Sequence, residues 1–133
     1  MGTVVLDASI VLALFDPEDA LHALASTAAR DRRATGDGFL LPASVLAEVL
    51  VGAARRGEAE LAGRRALAIA AFGPPHPVDE EVAVAAARWR ARHRSLRLPD
   101  ALVIATADVV GADAVLTGDK SWEGLDPRIA VLR

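Results

Sequence analysis

The chain is 133 residues long, carries a formal net charge of −3 and contains no cysteine. That length predicts one domain over residues 1–133, able to bury about two-thirds of the surface its unfolded chain would expose. Disulfides, thiolate zinc sites and a cysteine nucleophile are excluded, and the charge balance lacks the basic excess usual in nucleic-acid binders.

Val4 to Leu6 is a short, valine-rich apolar run that reads as a buried strand. Asp7-Ala8-Ser9 then opens a helical stretch ending near Phe15-Asp16-Pro17. Glu18 to Arg33 reads as a second helix, stopped by Thr35-Gly36-Asp37-Gly38. Phe39-Leu40-Leu41 is a second strand, closed by Pro42, and Ser44 is placed to start the helix that carries Glu48. Glu58 to Phe72 forms another helix. Gly73-Pro74-Pro75-His76-Pro77 forces an extended passage, with a short strand near Val78. Asp79 caps a long helix whose apolar stripe runs Val82, Ala86, Trp89, His93 and Leu96. Pro99 and Asp100 begin a helix that is apolar all round from Ala101 to Val110, and so is expected to be buried. Ala114-Val115-Leu116 is a strand ending in Thr117-Gly118-Asp119, and Ile129 to Leu132 is the last strand. Short apolar strands alternating with helices predict an α/β fold with a parallel sheet covered on both faces. No uncharged apolar stretch reaches the ~18 residues of a membrane span, and the first residues lack a basic leader, so a cytoplasmic protein is expected.

Asp7 and Asp119 both stand at the carboxyl ends of predicted strands, where open parallel sheets bind their ligands. Each alone is explained by capping or turn formation, as is Asp100 at the start of its helix. Glu48 is harder to explain so simply. It is the only charged residue between Leu41 and Arg55, on a helix expected to be mostly buried, and it needs a partner there. The structural alternative is an ion pair with Arg55, Arg56 or another arginine. If the four acids converge, pairs about 4 Å apart repel by roughly 4 kcal/mol at an effective dielectric near 20. They must then take up protons or bind cations. An all-oxygen donor set selects hard ions, Mg²⁺ or Mn²⁺, and such a site suits hydrolysis of phosphodiesters without a histidine or lysine base. His22 and His93 read as packing or surface residues, and His76 lies in the proline-rich connection.

Four segments carry a resemblance. Val4-Val5-Leu6-Asp7-Ala8-Ser9, Pro42-Ala43-Ser44-Val45-Leu46-Ala47-Glu48-Val49, Leu98-Pro99-Asp100-Ala101-Leu102-Val103-Ile104-Ala105-Thr106-Ala107 and Leu116-Thr117-Gly118-Asp119-Lys120-Ser121-Trp122 resemble, in order, the motifs of PIN-domain ribonucleases. In length and wording the chain looks most like the toxins of bacterial VapBC toxin–antitoxin pairs. The resemblance implies a three-layer PIN-like fold with a parallel sheet of about five short strands flanked by helices. It implies that Asp7 and Asp100 bind metal, and that Glu48 and Asp119 complete the cluster directly or through water. One or two Mg²⁺ or Mn²⁺ ions per site are expected. Ser9, Ser44 and Thr117 match small hydroxyl positions that orient ligands or water, although capping and turn bonding would also explain them. The implied partners are an RNA substrate, a cognate antitoxin lying across the active-site groove, and a second copy of the chain.

Lys120 is the only lysine, and five arginines fall between Arg88 and Arg97. Arg88 with Arg92 and Arg90 with Arg94 form two pairs spaced by four opposite the apolar stripe. Contact of Arg90 and Arg94 with RNA phosphates is one reading, and a solvated helix face is the other. Among rival functions, an aspartyl-phosphate enzyme would want an Asp-x-Asp pair that Asp7-Ala8-Ser9 lacks, or a phosphoacceptor that Pro77-Val78-Asp79 supplies poorly. A catalytically weak PIN fold acting as a protein- or RNA-binding module is the non-enzyme alternative.

Overall fold

Two short strands, buried except for Thr3 at the start of the first, sit at the centre of the molecule. A computed structural model describes residues 1–133. Strand β1 (Thr3–Leu6) is followed by α1 (Ala8–Phe15), α2 (His22–Ala34), β2 (Gly38–Leu40), α3 (Ala43–Arg56) and α4 (Glu58–Phe72). Then come α5 (Glu80–Arg92), α6 (Leu98–Val110), β3 (Ala114–Thr117), a 3₁₀ turn (Lys120–Trp122) and β4 (Ile129–Val131). The four strands form one parallel sheet in the order β2-β1-β3-β4. Val4, Val5 and Leu6 pair with Ala114, Val115 and Leu116, and all six side chains are buried. Central parallel strands are covered on both faces, so an uninterrupted apolar run is what such strands require.

The sheet has four strands rather than about five. The passage expected to hold a strand near Val78 makes only an isolated bridge between Pro42 and His76. There the His76 amide donates to the Leu41 carbonyl at 2.8 Å, and the Ala43 amide donates to the His76 carbonyl at 2.8 Å. Pro74, Pro75 and Pro77 have no amide hydrogen, so pairing cannot extend to either side of His76. The second helix begins at His22, not at Glu18. Asp16 and Asp19 instead accept from the amides of Glu18 and Leu21, two side-chain turns that hold the intervening residues outside the helix.

Helix α5 stops at Arg92, one residue before His93. The apolar stripe nonetheless continues, because His93 stacks on Trp89 with ring centroids 5.4 Å apart and Leu96 is buried. The break is held by Arg90, whose Nη1 donates to the carbonyls of Arg94 and Leu96 at 3.0 and 2.6 Å. Arg94 therefore lies on the turn, not on the helix face that carries Arg90. The Trp89 indole donates to Asp108 at 2.6 Å and ties α5 to α6. In α6, Ala101 and the run Val103 to Ala107 are buried, as the all-round apolar pattern implies. Gly111 ends that helix in the left-handed region, at φ 65° and ψ 42°.

Ile104 is fully buried one turn after Asp100 and sits within a continuous cluster of 27 buried residues. Ile104→Ala is expected to lower the free energy of unfolding by about 2–5 kcal/mol, measured by urea denaturation.

Candidate active site

Where the strand order of an open parallel sheet reverses, a crevice opens at the strands' carboxyl ends. Here the order places β2 on one side of β1 and β3 on the other, so the crevice lies where β1 and β3 end. Asp7 follows β1, and Asp119 stands two residues beyond β3.

Asp7 is 7% exposed and fixed from three directions. Its Oδ1 accepts from the Ala8 amide at 2.8 Å, which makes it the N-cap of α1. Its Oδ2 accepts from the Ser9 hydroxyl at 2.9 Å and from the Thr117 hydroxyl at 2.7 Å. Each hydroxyl has one proton and gives it to Asp7, so each must accept from elsewhere. Ser9 Oγ accepts from the Gly118 amide and Thr117 Oγ1 from the Asp119 amide, both at 3.0 Å. The two strand ends are thus locked together through one carboxylate. Gly118 packs closely here, since a Cβ there would come within 2.3 Å of Leu21 Cδ1 and the end of that leucine side chain would have to move.

Asp119 caps the 3₁₀ turn, with Oδ1 accepting from the Ser121 amide at 2.9 Å and the Ser121 hydroxyl at 2.7 Å. Asp100 sits in the first turn of α6 with its side chain 13% exposed, and Arg97 Nε lies 3.4 Å from its Oδ2. Burial pushes the Asp100 carboxyl above its ordinary range. The Arg97 charge opposes that rise, while the charges of Asp7 and Asp119 add to it. A cleft of about 210 Å³ is lined by Arg97, Asp100, Asp119 and Ser121, with Ser95, Leu96 and Leu125 completing the wall.

Glu48 departs from the sequence expectation. Helix α3 buries Val45, Val49 and Ala53, a stripe spaced by four, and Glu48 lies beside it on an exposed face. No arginine on its own helix claims it, for Arg56 instead pairs with Glu60 at 3.8 Å. Partial loss of water raises the Glu48 carboxyl above its usual range, and the negative charges of Asp7 and Asp100 raise it further, opposed by Arg97. Glu48 is therefore near enough to Asp7 and Asp100 to feel their charge, although it lines a neighbouring groove rather than the cleft of Asp100 and Asp119. Ser44, one turn earlier, buries its Oγ without any hydrogen-bond partner, so it hydrogen-bonds to none of the acids.

Asp100 and Asp119 line one cleft and Asp7 follows the adjacent strand, whereas Glu48 lines a separate groove with Asp16, Asp19 and Arg56. No three acidic or histidine side chains converge as a preassembled metal cage. The donor set still fits a hard divalent cation. It is all oxygen, and two of its members, Glu48 and Asp100, hold protons more tightly, first because burial removes water and then because of neighbouring carboxylates. Two contributors escaped the sequence reading. Arg97 was indistinguishable from its neighbouring arginines, and Gly118 looked like an ordinary turn residue.

A family model for the PIN domain matches residues 4–126. The chain belongs to the PIN-domain family. Its structure is similar to a toxin–antitoxin complex from Klebsiella pneumoniae, at 21% identity and a TM-score of 0.73, covering 96% of each chain. It is similar to VapBC2 from Rickettsia felis, solved bound to a promoter DNA fragment, at 11% identity and a TM-score of 0.74, covering 97% of this chain and 96% of that one. It is also similar to VapC20 from Mycobacterium tuberculosis, described as a sarcin–ricin-loop-cleaving toxin, at 24% identity and a TM-score of 0.68, covering 91% and 95%. No curated protein matches the chain. No helix is long and apolar enough to cross a membrane.

The raised Glu48 carboxyl has a consequence for stability. The folded protein holds that proton more tightly than the unfolded chain does, so stability falls as pH climbs above the ordinary value of 4.5 and is unaffected well below it. In EDTA, Glu48→Gln is expected to raise Tm relative to the wild type at pH 7, with the difference gone near about pH 3. Thermal melts at the two pH values check this, and a wild type that melts at or above the variant at pH 7 would contradict it.

Proposed function

We infer that this protein is a divalent-metal-dependent endoribonuclease of the VapC type, the toxin of a type II toxin–antitoxin pair. The observation that carries the reading is the gathering of Asp7, Asp100 and Asp119 around the carboxyl ends of β1 and β3, with Glu48 near enough to feel the charges of Asp7 and Asp100 and Arg97 the one cation opposing them. Similarity to structures described as toxin–antitoxin complexes, and to one described as a sarcin–ricin-loop-cleaving toxin, supports RNA as the substrate class and an antitoxin as the partner.

Asp7 and Asp100 are the residues that would hold Mg²⁺ or Mn²⁺, with Glu48 and Asp119 completing the set directly or through water. A cation bound there supplies an activated water and neutralises charge on the scissile phosphate. The chain's own contribution is orientation. Ser9 and Thr117 leave Asp7 one geometry, and Ser121 does the same for Asp119 by holding its Oδ1. Arg90 is engaged with carbonyls at the end of α5, so phosphate contact along the RNA falls more readily to Arg94 on the turn. The reading includes action in the cytoplasm, a second copy of the chain as partner, and inhibition by a cognate antitoxin across the acidic groove.

A weak or inactive PIN fold that binds RNA or protein is favoured by one observation, the absence of a closed three-acid cage. A nuclease assay separates the two readings. Purified protein is expected to cleave single-stranded RNA with Mg²⁺ or Mn²⁺, to stop in EDTA, and to lose activity in Asp7→Asn. Thr117→Val, which frees one face of Asp7 without removing it, is expected to cut the rate by about 10–100-fold. Cleavage that survives both EDTA and Asp7→Asn would overturn the metal mechanism, and no cleavage at all would favour the binding module.

A further inference from the structure

Arg97 is the one cation lining the acidic cleft, and its position differs from that of every other arginine in the chain. Its backbone is fixed. Its carbonyl accepts from the Ala101 amide at 2.9 Å at the start of α6, and the preceding Leu96 is buried. Its side chain is not fixed. It is 76% exposed, and its only polar contact is the 3.4 Å approach of Nε to Asp100 Oδ2. An ion pair so long and so exposed contributes little and is readily exchanged. The neighbouring Arg90 has no such freedom, since its guanidinium is engaged with two carbonyls.

We propose that Arg97 is an exchangeable counterion. It rests on Asp100 while the site holds no metal and turns to a phosphate of the bound RNA once Asp100 takes up a divalent cation. This rests on the nuclease reading above and deepens it by naming the group that recognises the phosphate at the cleft. The driving force is elementary. A cation on Asp100 removes the attraction that holds Arg97 and repels its positive charge, while the phosphodiester brings a new anion to the same cleft. A planar guanidinium presents paired donors matched to two phosphate oxygens, which a point charge does not. With a fixed backbone and a free side chain, the exchange needs only rotation about side-chain bonds. No bond is made or broken.

A purely structural Arg97 and an exchangeable one predict opposite metal affinities when the side chain is neutralised. The test uses the full chain, with Mn²⁺ binding followed by isothermal titration calorimetry without RNA. RNA binding is followed by fluorescence anisotropy of a labelled single strand, with Ca²⁺ replacing Mg²⁺ to slow cleavage, over a range of salt. Arg97→Gln is expected to bind Mn²⁺ several-fold more tightly, because a competing cation has gone. It is expected to bind RNA about tenfold more weakly, the loss of one charge-assisted hydrogen bond, with a salt slope shallower by about 0.7. Arg97→Lys is expected to recover the salt slope but only part of the affinity. Weakened Mn²⁺ binding, or RNA affinity and salt slope equal to the wild type, would overturn the proposal while leaving the nuclease reading intact. A wild type that binds neither Mn²⁺ nor RNA would overturn both.

Discussion

The carboxylate of Asp7 is where the sheet and the site become one structure. It is almost fully removed from water, yet both of its oxygens are in use, accepting from the start of α1, from Ser9 and from the last residue of β3. A buried anion survives only when its hydrogen bonds are supplied by groups that cannot turn away. Ser9 and Thr117 meet that condition because each is itself held by a backbone amide, from Gly118 and Asp119. The pairing of β1 with β3 fixes which residues can take part, since Leu6 opposite Leu116 brings Asp7 beside Thr117. Slip the register by one residue and the side chain beside Asp7 points to the other face of the sheet.

Around that fixed anion the other acids keep more freedom. Asp100 is anchored by a buried helix and meets only the exposed side chain of Arg97, and Glu48 stands on an exposed face of α3. The acids sense one another's charge without enclosing a point. A cation supplied from solution, or a basic side chain supplied by a partner, would relieve the same repulsion.

Much of the fold was legible in the sequence because its signals are local. The valine-rich run at Val4, the all-round apolar stretch after Pro99 and the proline-rich break at Gly73 each have one physical solution. What escaped depended on partners distant in sequence or on small local competitors. The strand expected near Val78 was reduced to a bridge because three prolines flank a single usable amide. The early start given to α2 ignored the carboxylates of Asp16 and Asp19, which capture backbone amides before the helix can form. At the site, the apolar neighbours of Glu48 in sequence suggested burial, but α3 buries only Val45, Val49 and Ala53, and Glu48 is exposed beside that stripe. The convergence of Ser9, Thr117 and Asp119 on one carboxylate is a tertiary fact, visible only once β1 and β3 lie side by side.

The central claim is that Asp7 and Asp100 together bind a divalent cation at the carboxyl ends of β1 and β3. Anomalous diffraction from crystals grown with Mn²⁺ tests it most directly. The account predicts an anomalous peak with carboxylate oxygens of Asp7 and Asp100 within about 2.0–2.2 Å and with Glu48 and Asp119 nearby, directly or through water. A fully occupied Mn²⁺ site elsewhere on the protein, with none bound between Asp7 and Asp100, would contradict it.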